Sequence, residues 1–387
     1  MRNERGIALV ITLLVVALLT IIVVEFTYSA EVDAHMARNA LNALQASVLA
    51  RSGVNLGEAF LLHDDDPQVD AYTEDWGNMD LLNSQLILPD NMRLRVQIVD
   101  EGGKLNINLT RPRRLLDWLA AQRANPNSPP TLPFQFWTTA LGNLLAARGA
   151  SPDIADAVTQ YWSQLFQIAF PGALGGQPGL GATPGQAAVG TPTPGGLASN
   201  PFFWDFPSLD DASVIPGLTP SLIERSRAVL TAIDANRQPQ VNINTAPAEV
   251  LSAIIPDAGV VDNIISQRQE QGLKQSDLAQ LLAGLNTKDP TAAHARSMLG
   301  VQSAFFLIRA SAVVNPNPMT GKGGISRSAS MLVRRDPRPG VSANAPAGTP
   351  LWTLTQLDWQ KEGGAALFQP TPGAEDLPNS GLPGVGG

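Results

Sequence analysis

The chain begins with an apolar stretch that is long enough to cross a membrane as a helix. Residues 7–24 contain no charged side chain. At 1.5 Å per residue this stretch makes a helix of about 27 Å, close to the thickness of the hydrocarbon core of a bilayer. A secretory signal is usually shorter and ends in small residues before its cleavage site, whereas Glu25-Phe26-Thr27-Tyr28 follows here. The pattern therefore predicts a transmembrane anchor over residues 7–24.

Helical periodicity continues beyond the anchor. Apolar residues recur near helical spacing from Phe26 to Phe60, mixed with alanine and polar residues, until Asp64-Asp65-Asp66-Pro67. This predicts one helix over about residues 7–62, half in lipid and half packed on a globular head.

The remainder of the chain shows two kinds of pattern. Alternation of polar and apolar residues at 93–99 and 104–109, around the turn 100–103, predicts a β-hairpin. Helical signals cover 112–123, 134–148 and 152–170, and further strands are predicted at 305–314, 325–335 and 351–360. The order predicts an α+β fold, in which a long N-terminal helix packs on a small antiparallel sheet that carries a large all-α insertion. A long helix that is half apolar anchor and half packed on a head resembles the stem of pilins, so the fold is expected to be pilin-like.

The same patterns predict how the chain is divided. Its predicted segments are residues 1–6, a leader; 7–24, the transmembrane segment; 25–110, the pilin-like helix and first strand pair; 111–300, the inserted helical domain; 301–360, the remaining strands; and 361–387, a disordered tail. Within the insertion, residues 171–196 are rich in Gly and Pro and are predicted to form a mobile linker, and residues 241–285 show a helix-hairpin-helix-like pattern.

Composition narrows the possible functions. The net charge of -8 is unfavourable for a protein that binds nucleic acid by neutralising phosphates. The chain has no cysteine, which excludes disulfides and thiolate metal sites, and its three histidines show no metal-ligand spacing. No G-x-S-x-G motif occurs and no histidine pairs convincingly with a nucleophile. The sequence therefore predicts a protein that is not an enzyme and has no catalytic residue, and no metal-ligating residue is assigned.

The first six residues resemble the leader of a prepilin, in which a short basic segment ends in glycine directly before the apolar run. Arg2 and Arg5 favour a cytoplasmic start, which places the head outside the inner membrane. The resemblance implies cleavage between Gly6 and Ile7, followed by methylation of the new terminus. Ile11 is then the fifth residue, where most pilins and pseudopilins carry a glutamate that is thought to pair with the amino terminus of a neighbouring subunit.

The stretch Val241-Asn242-Ile243-Asn244-Thr245-Ala246-Pro247 is the most distinctive motif of the head. Thr245 is predicted to cap the helix that follows. Together with residues 254–278 the motif is similar to the helix-hairpin-helix modules of DNA-uptake receptors, whose glycine-rich hairpin binds phosphate through backbone N–H groups. Here Asp257 stands where phosphate would bind, so the segment is interpreted as a helical packing module without nucleic acid.

Several motifs in order resemble the protein K family of type II secretion, whose members are minor pseudopilins at the filament tip. They are the leader, the absent glutamate at Ile11, the stretch Val99 to Asn108, Ile215-Pro216-Gly217-Leu218-Thr219, the asparagine-threonine-alanine motif and Phe305-Phe306. The resemblance covers residues 1 to about 335. It implies a single-pass inner-membrane protein with a periplasmic head, processed by a prepilin peptidase. The implied partners are other minor pseudopilins, the major pseudopilin and the inner-membrane secretion platform.

The sequence departs from this family in its metal motif. Members of the family often bind calcium through an aspartate-tryptophan segment and a later acidic loop. Residues Gln160 to Gln164 keep the tryptophan but lack the acids, and the Gly/Pro linker stands in place of the loop. Because calcium needs several oxygen ligands, usually including more than one carboxylate, no cofactor is expected; calcium stays open as the alternative, and no calcium ligand is assigned. The acidic clusters at residues 64–66 and 210–211 are expected on the surface.

Two other functions are compatible with parts of the sequence. A type IV pilus-like minor pilin would share the leader and the long helix. A membrane-anchored DNA-uptake receptor would share the helix-hairpin-helix pattern, but it would need a basic face.

Overall fold

A computed structural model describes residues 4–64, 66, 68–84, 86–111, 133–169, 205–285, 290–316, 323–341 and 351–362. The predicted helix at 112–123, the Gly/Pro linker at 171–196 and residues 363–387 of the predicted tail lie outside these ranges.

The α-helices of the described chain are α1 (Glu4–Leu62), α2 (Met79–Ser84), α3 (Pro133–Ala146), α4 (Ile154–Ala169), α5 (Pro220–Ser226), α6 (Ala248–Ile254), α7 (Ala258–Arg268), α8 (Gln275–Leu281) and α9 (Pro290–Met298). The strands are β1 (Met92–Asp100), β2 (Leu105–Asn106), β3 (Leu230–Thr231), β4 (Val241–Asn242), β5 (Leu299–Gly300), β6 (Phe305–Val314), β7 (Ile325–Pro337) and β8 (Trp352–Glu362).

Helix α1 is the stem of the molecule. Its 59 residues make a helix of about 88 Å. The first part, including residues 7–24, is exposed along its whole length, and only the last turns pack against the sheet. Among the described residues, one helix is long and apolar enough to cross a membrane, and its charge-free stretch starts at Ile7.

The main sheet has four antiparallel strands in the order β1-β6-β7-β8. Strand β1 pairs with β6, so that Ile98 lies opposite Ile308 although the helical segment separates the two strands along the chain. The chain therefore leaves the sheet after β1 and returns to it at β6, which confirms the predicted α+β fold with its long N-terminal helix.

The stem approaches the sheet closely at Gly57. A Cβ atom built there would lie 2.5 Å from Cγ2 of Ile308. The helix backbone thus rests directly on β6, since no larger residue fits between them. Buried Ala50, Val54 and Leu61 of the stem pack on the same face of the sheet.

Each edge strand of the sheet carries a feature that disfavours pairing with another chain. At β1 the side-chain amide of Asn83 pairs with the backbone of Val96, donating to its carbonyl oxygen (3.2 Å) and accepting from its N–H (3.0 Å). At the other edge, β8 has a register shift that leaves Leu357 as an extra residue opposite Leu332 and Val333. Bulges and side-chain plugs of this kind prevent edge-to-edge pairing with another chain.

The predicted hairpin over residues 93–109 is wrong. Only its first half, β1, belongs to the main sheet, while Leu105 and Asn106 pair in parallel with β3 and residues 107–110 form a 3₁₀ turn. The alternation of residues 104–109 does not mark a half-exposed strand, because all six are buried. Strand β8 extends two residues beyond the predicted boundary at 360, because Lys361 and Glu362 still pair with β7.

The helical segment between β1 and β6 has a hydrophobic core of its own. This core contains Leu105, Ile107 and Leu109 together with the buried faces of α3 to α9. A separate core lies between the stem and the sheet. Residues 100–106 connect the two cores and include the buried polar residues Asp100, Glu101, Lys104 and Asn106.

Candidate functional site

The stem carries the three residues that the sequence singled out for processing and assembly. Gly6, Ile7 and Ile11 all lie in α1. The side chains of Ile7 and Ile11 are exposed, and because they are four residues apart they share one face of the helix. The structure does not bring these positions near any other candidate residue.

A second apolar surface lies on the part of the stem beyond the anchor. Leu41, Leu44 and Val48 are exposed at 54%, 61% and 59%. At about 100° per residue they lie on the side of the helix opposite Ala46 and Ala50, which pack toward the sheet. This outer stripe, defined by Leu41, Leu44 and Val48, is suited to packing against another apolar helix.

The asparagine-threonine motif lies at the boundary between the sheet and the helical segment. Asn242 directs its side-chain amide toward the carbonyl oxygen of Asp70 (2.8 Å), the carboxylate of Asp100 (3.0 Å) and the hydroxyl of Ser303 (3.0 Å). All four residues are buried. The motif therefore acts as a structural link between β1, the loop after the stem and the segment leading into β6.

Thr245 does not cap a helix, so that prediction is wrong. The helix that follows begins at Ala248 after Pro247, while the Thr245 hydroxyl donates to Asp100 Oδ2 at 2.6 Å. The Thr245 hydroxyl therefore binds a residue of the sheet rather than the backbone of the helix that follows it. A Cβ atom at Gly103 would lie 2.5 Å from this hydroxyl oxygen, which explains the glycine of the turn.

Asp100 is the acceptor at the centre of this link. Its Oδ2 also accepts from the hydroxyl of Ser303 at 2.6 Å, and its Oδ1 accepts from the N–H of Gly102 at 2.7 Å. Burial raises the pKa of this carboxyl, and the hydrogen bonds from Ser303 and Thr245 oppose that effect.

The hairpin that resembles a phosphate site is filled by its own side chain. Asp257 accepts hydrogen bonds from the N–H groups of Gly259 (2.8 Å) and Val260 (3.3 Å) at the start of α7. These are the groups that would face a phosphate. The Asp257 carboxylate therefore occupies the position at which a phosphate would bind, as the sequence predicted, and it acts as the N-cap of α7.

A cluster of ionised groups joins the end of the stem to the sheet. Arg335 of β7 donates through Nη1 to Asp64 and through Nη2 to Asp70, and all three side chains are buried. The guanidinium also lies 4.7 Å from the ring of Phe306 and 4.2 Å from that of Trp352. We refer to Asp64, Asp70, Glu74 and Arg335 as the junction cluster.

The carboxylates of the junction cluster are close together. Oxygen atoms of Asp64, Asp70 and Glu74 all lie within 4.8 Å of one another, a separation short enough for a metal site. The guanidinium of Arg335, however, already contacts two of the three carboxylates. The cluster thus has a cation of its own, and calcium is not assigned to it.

Trp162, which marks the metal segment in the related family, is a core residue here. It is buried and lies close to Phe206, with the Arg111 guanidinium 5.0 Å from its ring. Its Nε1 donates to the hydroxyl of Thr110 at 3.3 Å. The expectation that residues 160–164 bind no calcium stays a prediction.

Sequence reasoning missed the junction cluster. It placed Asp64 on the surface, whereas Asp64 is buried against Arg335. The available signal was the alternation in β7, in which Arg335 has the same parity as the buried Met331 and Val333. An arginine at an inward position of a strand requires a buried acid, and the acids after the stem were the candidates.

Comparison with known proteins agrees with the resemblance found in the sequence. Residues 241–302 match the family model described as type II secretion system (T2SS), protein K. The chain is also similar to one chain of the crystal structure of the GspK-GspI-GspJ complex from the enterotoxigenic Escherichia coli type 2 secretion system. That match has a TM-score of 0.53 and 15% identity, and it covers 85% of this chain and 100% of the other. No curated protein matches the sequence significantly. These findings confirm the predicted resemblance and fold.

Proposed function

We propose that this relative of type II secretion protein K is a minor pseudopilin that occupies the tip of the pseudopilus and initiates or caps its assembly. The leader is cleaved between Gly6 and Ile7 by a prepilin peptidase, and the new terminus is methylated. Residues 7–24 then hold the chain in the inner membrane with its head in the periplasm. The role is structural rather than catalytic, and it serves protein export across the outer membrane.

The observation that carries this proposal is the chemistry of the stem. From Ile7 to Val24 the helix exposes apolar side chains and contains no acid, so the processed chain has no carboxylate to pair with the amino terminus of a neighbour. An unpaired charge inside an apolar filament is costly. Ile11 therefore allows the chain to stand first in a stack but not to follow another subunit.

The outer stripe supports assembly with partner stems. One side of the stem is buried on its own sheet, and the apolar side chains of Leu41, Leu44 and Val48 remain available on the opposite side. Other minor pseudopilins and the major pseudopilin carry the complementary apolar stems, and the inner-membrane platform is the site at which they meet.

The size of the head is consistent with a terminal position. The helical segment between β1 and β6 adds its own core beside the sheet. Subunits with such a large helical domain beside the sheet would clash if they were stacked repeatedly along a thin filament. A single copy at the end of the filament has no neighbour on one side and avoids this clash.

The experiment that tests the tip position is the substitution Ile11→Glu. We expect it to raise the number of copies per filament relative to the major pseudopilin, because the chain then carries the missing carboxylate. Leu14→Glu is the matched control, since it places the same acid at another exposed position of the same apolar helix. An unchanged copy number in Ile11→Glu filaments would refute the tip argument.

Processing is tested separately. Mass spectrometry of the mature chain should find Ile7 at the amino terminus with an added methyl group, and Gly6→Leu should keep the leader and reduce export. Export at the normal rate by cells whose protein retains residues 1–6 would exclude the prepilin mechanism.

A further inference from the structure

Negative charges outnumber positive ones in the junction cluster. Its three carboxylates have oxygen atoms within 4.8 Å of one another, and Arg335 is the single cation that contacts them. Both of its ion pairs go to Asp64 and Asp70, and among the described residues no arginine or lysine pairs with Glu74. Asp64 and Asp70 are buried and Glu74 is half-buried, and like charges this close together in such a site cannot all ionise freely.

Glu74 is held in place by its own loop. Its Oε2 accepts hydrogen bonds from the N–H of Ala71 (2.8 Å) and from Nε1 of Trp76 (2.9 Å), and Trp76 is itself buried. The carboxyl group therefore cannot swing into solvent without breaking two hydrogen bonds. Its position next to the two aspartates is fixed by the fold.

Ionisable groups approach Glu74 from several elements. Asp64 follows the stem, Asp70 belongs to the same loop and Arg335 comes from β7, while Asp100 of β1 acts on Asp70. On the outer side, a cavity of about 420 Å³ is lined by further titratable groups. These groups are His63, Asp66 and Asp75. Within the described residues, Arg335 is the one cation of fixed charge among all these neighbours.

The electrostatic environment supports proton binding. Burial, reinforced by the charges of Asp64 and Asp70, raises the pKa of Glu74 to about 8, although the hydrogen bonds from Ala71 and Trp76 oppose the change. Burial also raises the pKa of both aspartates to about 6, although Arg335 opposes the change. Because the three groups interact, their protons are lost in steps that belong to the cluster as a whole.

We propose that the junction cluster binds one proton at neutral pH, carried mainly by Glu74, and that release of this proton loosens residues 68–76 from the sheet. The proton offsets the excess of negative charge that Arg335 alone does not neutralise. The cluster is thus a pH-sensitive lock at the point where the stem enters the head.

The position of the loop makes this lock effective. The N–H of Asp70 donates to the carbonyl of Val301 (2.9 Å), and Asp70 Oδ2 accepts from the N–H of Ser303 (2.7 Å). The indole of Trp352 in β8 donates to the carbonyl of Asp64 at 3.1 Å. One short loop therefore contacts the stem, the sheet and the segment that returns from the helical core, so a change in its charge acts on all three.

The direction of the pH effect follows from the raised pKa values. A carboxyl that binds its proton more tightly in the folded state stabilises the fold below its unfolded pKa, and this contribution is lost as pH rises through the folded pKa. The lock is therefore tightest below about pH 4.3, loosens progressively as the pH rises toward about 8, and has lost the contribution of this proton above that pH.

The experiment uses the full chain in detergent micelles. Hydrogen exchange of residues 68–76, corrected for the intrinsic pH dependence of exchange, should show at least about tenfold lower protection at about pH 9 than at about pH 6. In Glu74→Gln, which mimics the protonated acid and keeps an oxygen acceptor, this loss should disappear. Protection of residues 220–268 should not change with pH in either protein.

Asp75→Asn is the matched control, because Asp75 is the next residue and is exposed. It should retain the full pH-dependent loss of protection. Equal pH dependence in the original chain and in Glu74→Gln would overturn the proposal.

A second measurement needs no variant. In the chain labelled with ¹³C at glutamate carboxyl groups, one resonance should titrate with a midpoint near pH 8. If every glutamate resonance titrates near the ordinary value of about 4.3 instead, the proton is not held and the proposal falls. This titration tests the proposal in the original chain, so it gives an answer even if Glu74→Gln does not fold.

Discussion

The side-chain amide of Asn242 lies 3.0 Å from the carboxylate of Asp100, although 142 positions separate the two residues along the chain. This contact joins the segment that matches protein K to the first strand of the sheet. It assigns the asparagine-threonine motif to holding the head together, which is a structural task that involves no phosphate.

We expect Thr245→Val to lower the free energy of unfolding by about 1.5–3 kcal/mol. The substitution preserves side-chain shape and removes the 2.6 Å hydrogen bond to Asp100, and bonds to ionisable groups are worth this amount. Thr355→Val on the exposed side of β8 is the control and should change little. Urea unfolding of the full chain in detergent measures the difference. An equal effect of both substitutions would show that the contact does not support the fold.

Gly57→Ala should be destabilising even though alanine favours helices. The added methyl group would lie 2.5 Å from Cγ2 of Ile308, and overpacking of a core costs about 1–3 kcal/mol. In an Ile308→Ala background the same change should cost less, because the clashing atom is gone. Thermal unfolding gives the coupling between the two sites. Gly284→Ala is the control, since nothing lies within 4 Å of a Cβ atom there.

Asn83→Ala should open the edge of β1. It removes two hydrogen bonds to Val96, which contribute about 1 kcal/mol each, and it exposes backbone groups that can pair with another chain. We expect lower stability together with concentration-dependent self-association in analytical ultracentrifugation. The neighbouring Ser84→Ala keeps the plug and should leave association unchanged. Loss of stability without association would limit the role of Asn83 to stability.

Asp257→Ala should destabilise the start of α7 by about 1 kcal/mol, as loss of an N-cap does. Asp262→Ala, an exposed position within the same helix, should have no comparable effect on the melting temperature. Neither variant should retard duplex DNA at low salt, because the chain carries a net charge of -8. Salt-sensitive DNA binding by Asp257→Ala would instead support the receptor interpretation.

Arg335→Leu should cost about 3–5 kcal/mol at neutral pH, because it leaves Asp64 and Asp70 buried without their cation. Their pKa values, already raised by burial, should rise further. The loss of stability should therefore be largest at pH values above the folded-state pKa values of the two aspartates. It should shrink as the pH falls toward about 4, because both aspartates are then protonated in the folded original chain and in the folded variant alike. Unfolding measured across this range tests the sign. Arg334→Leu, which removes a more exposed ion pair, should cost at most about 1 kcal/mol.

The regular elements could be predicted from the sequence because their patterns are local. A charge-free run followed by helical periodicity defined the stem, and alternation defined β6 and β7 within two residues of their observed ends. The residues of the processing site were identified from the chain alone, and their roles stay predictions.

The errors arose where the environment on both sides of a segment decides the structure. Residues 105–110 alternate as a strand does, but they are buried on every side and enter a second core. Threonine is a residue type that favours helix N-caps, yet the hydroxyl of Thr245 donates its hydrogen bond to the carboxylate of Asp100 in β1. Asp64 belongs to an acidic run that is typical of surfaces, but Arg335 arrives from 271 positions away. None of these partners can be read from neighbouring residues.

The near contact between helix and strand at Gly57 has a mechanical consequence. The backbone of the stem at Gly57 lies directly against the side chain of Ile308, and close-packed groups of this kind leave little space to compress. The last turns of the stem and the sheet therefore move as one rigid body, so a rotation of these turns carries the sheet with it.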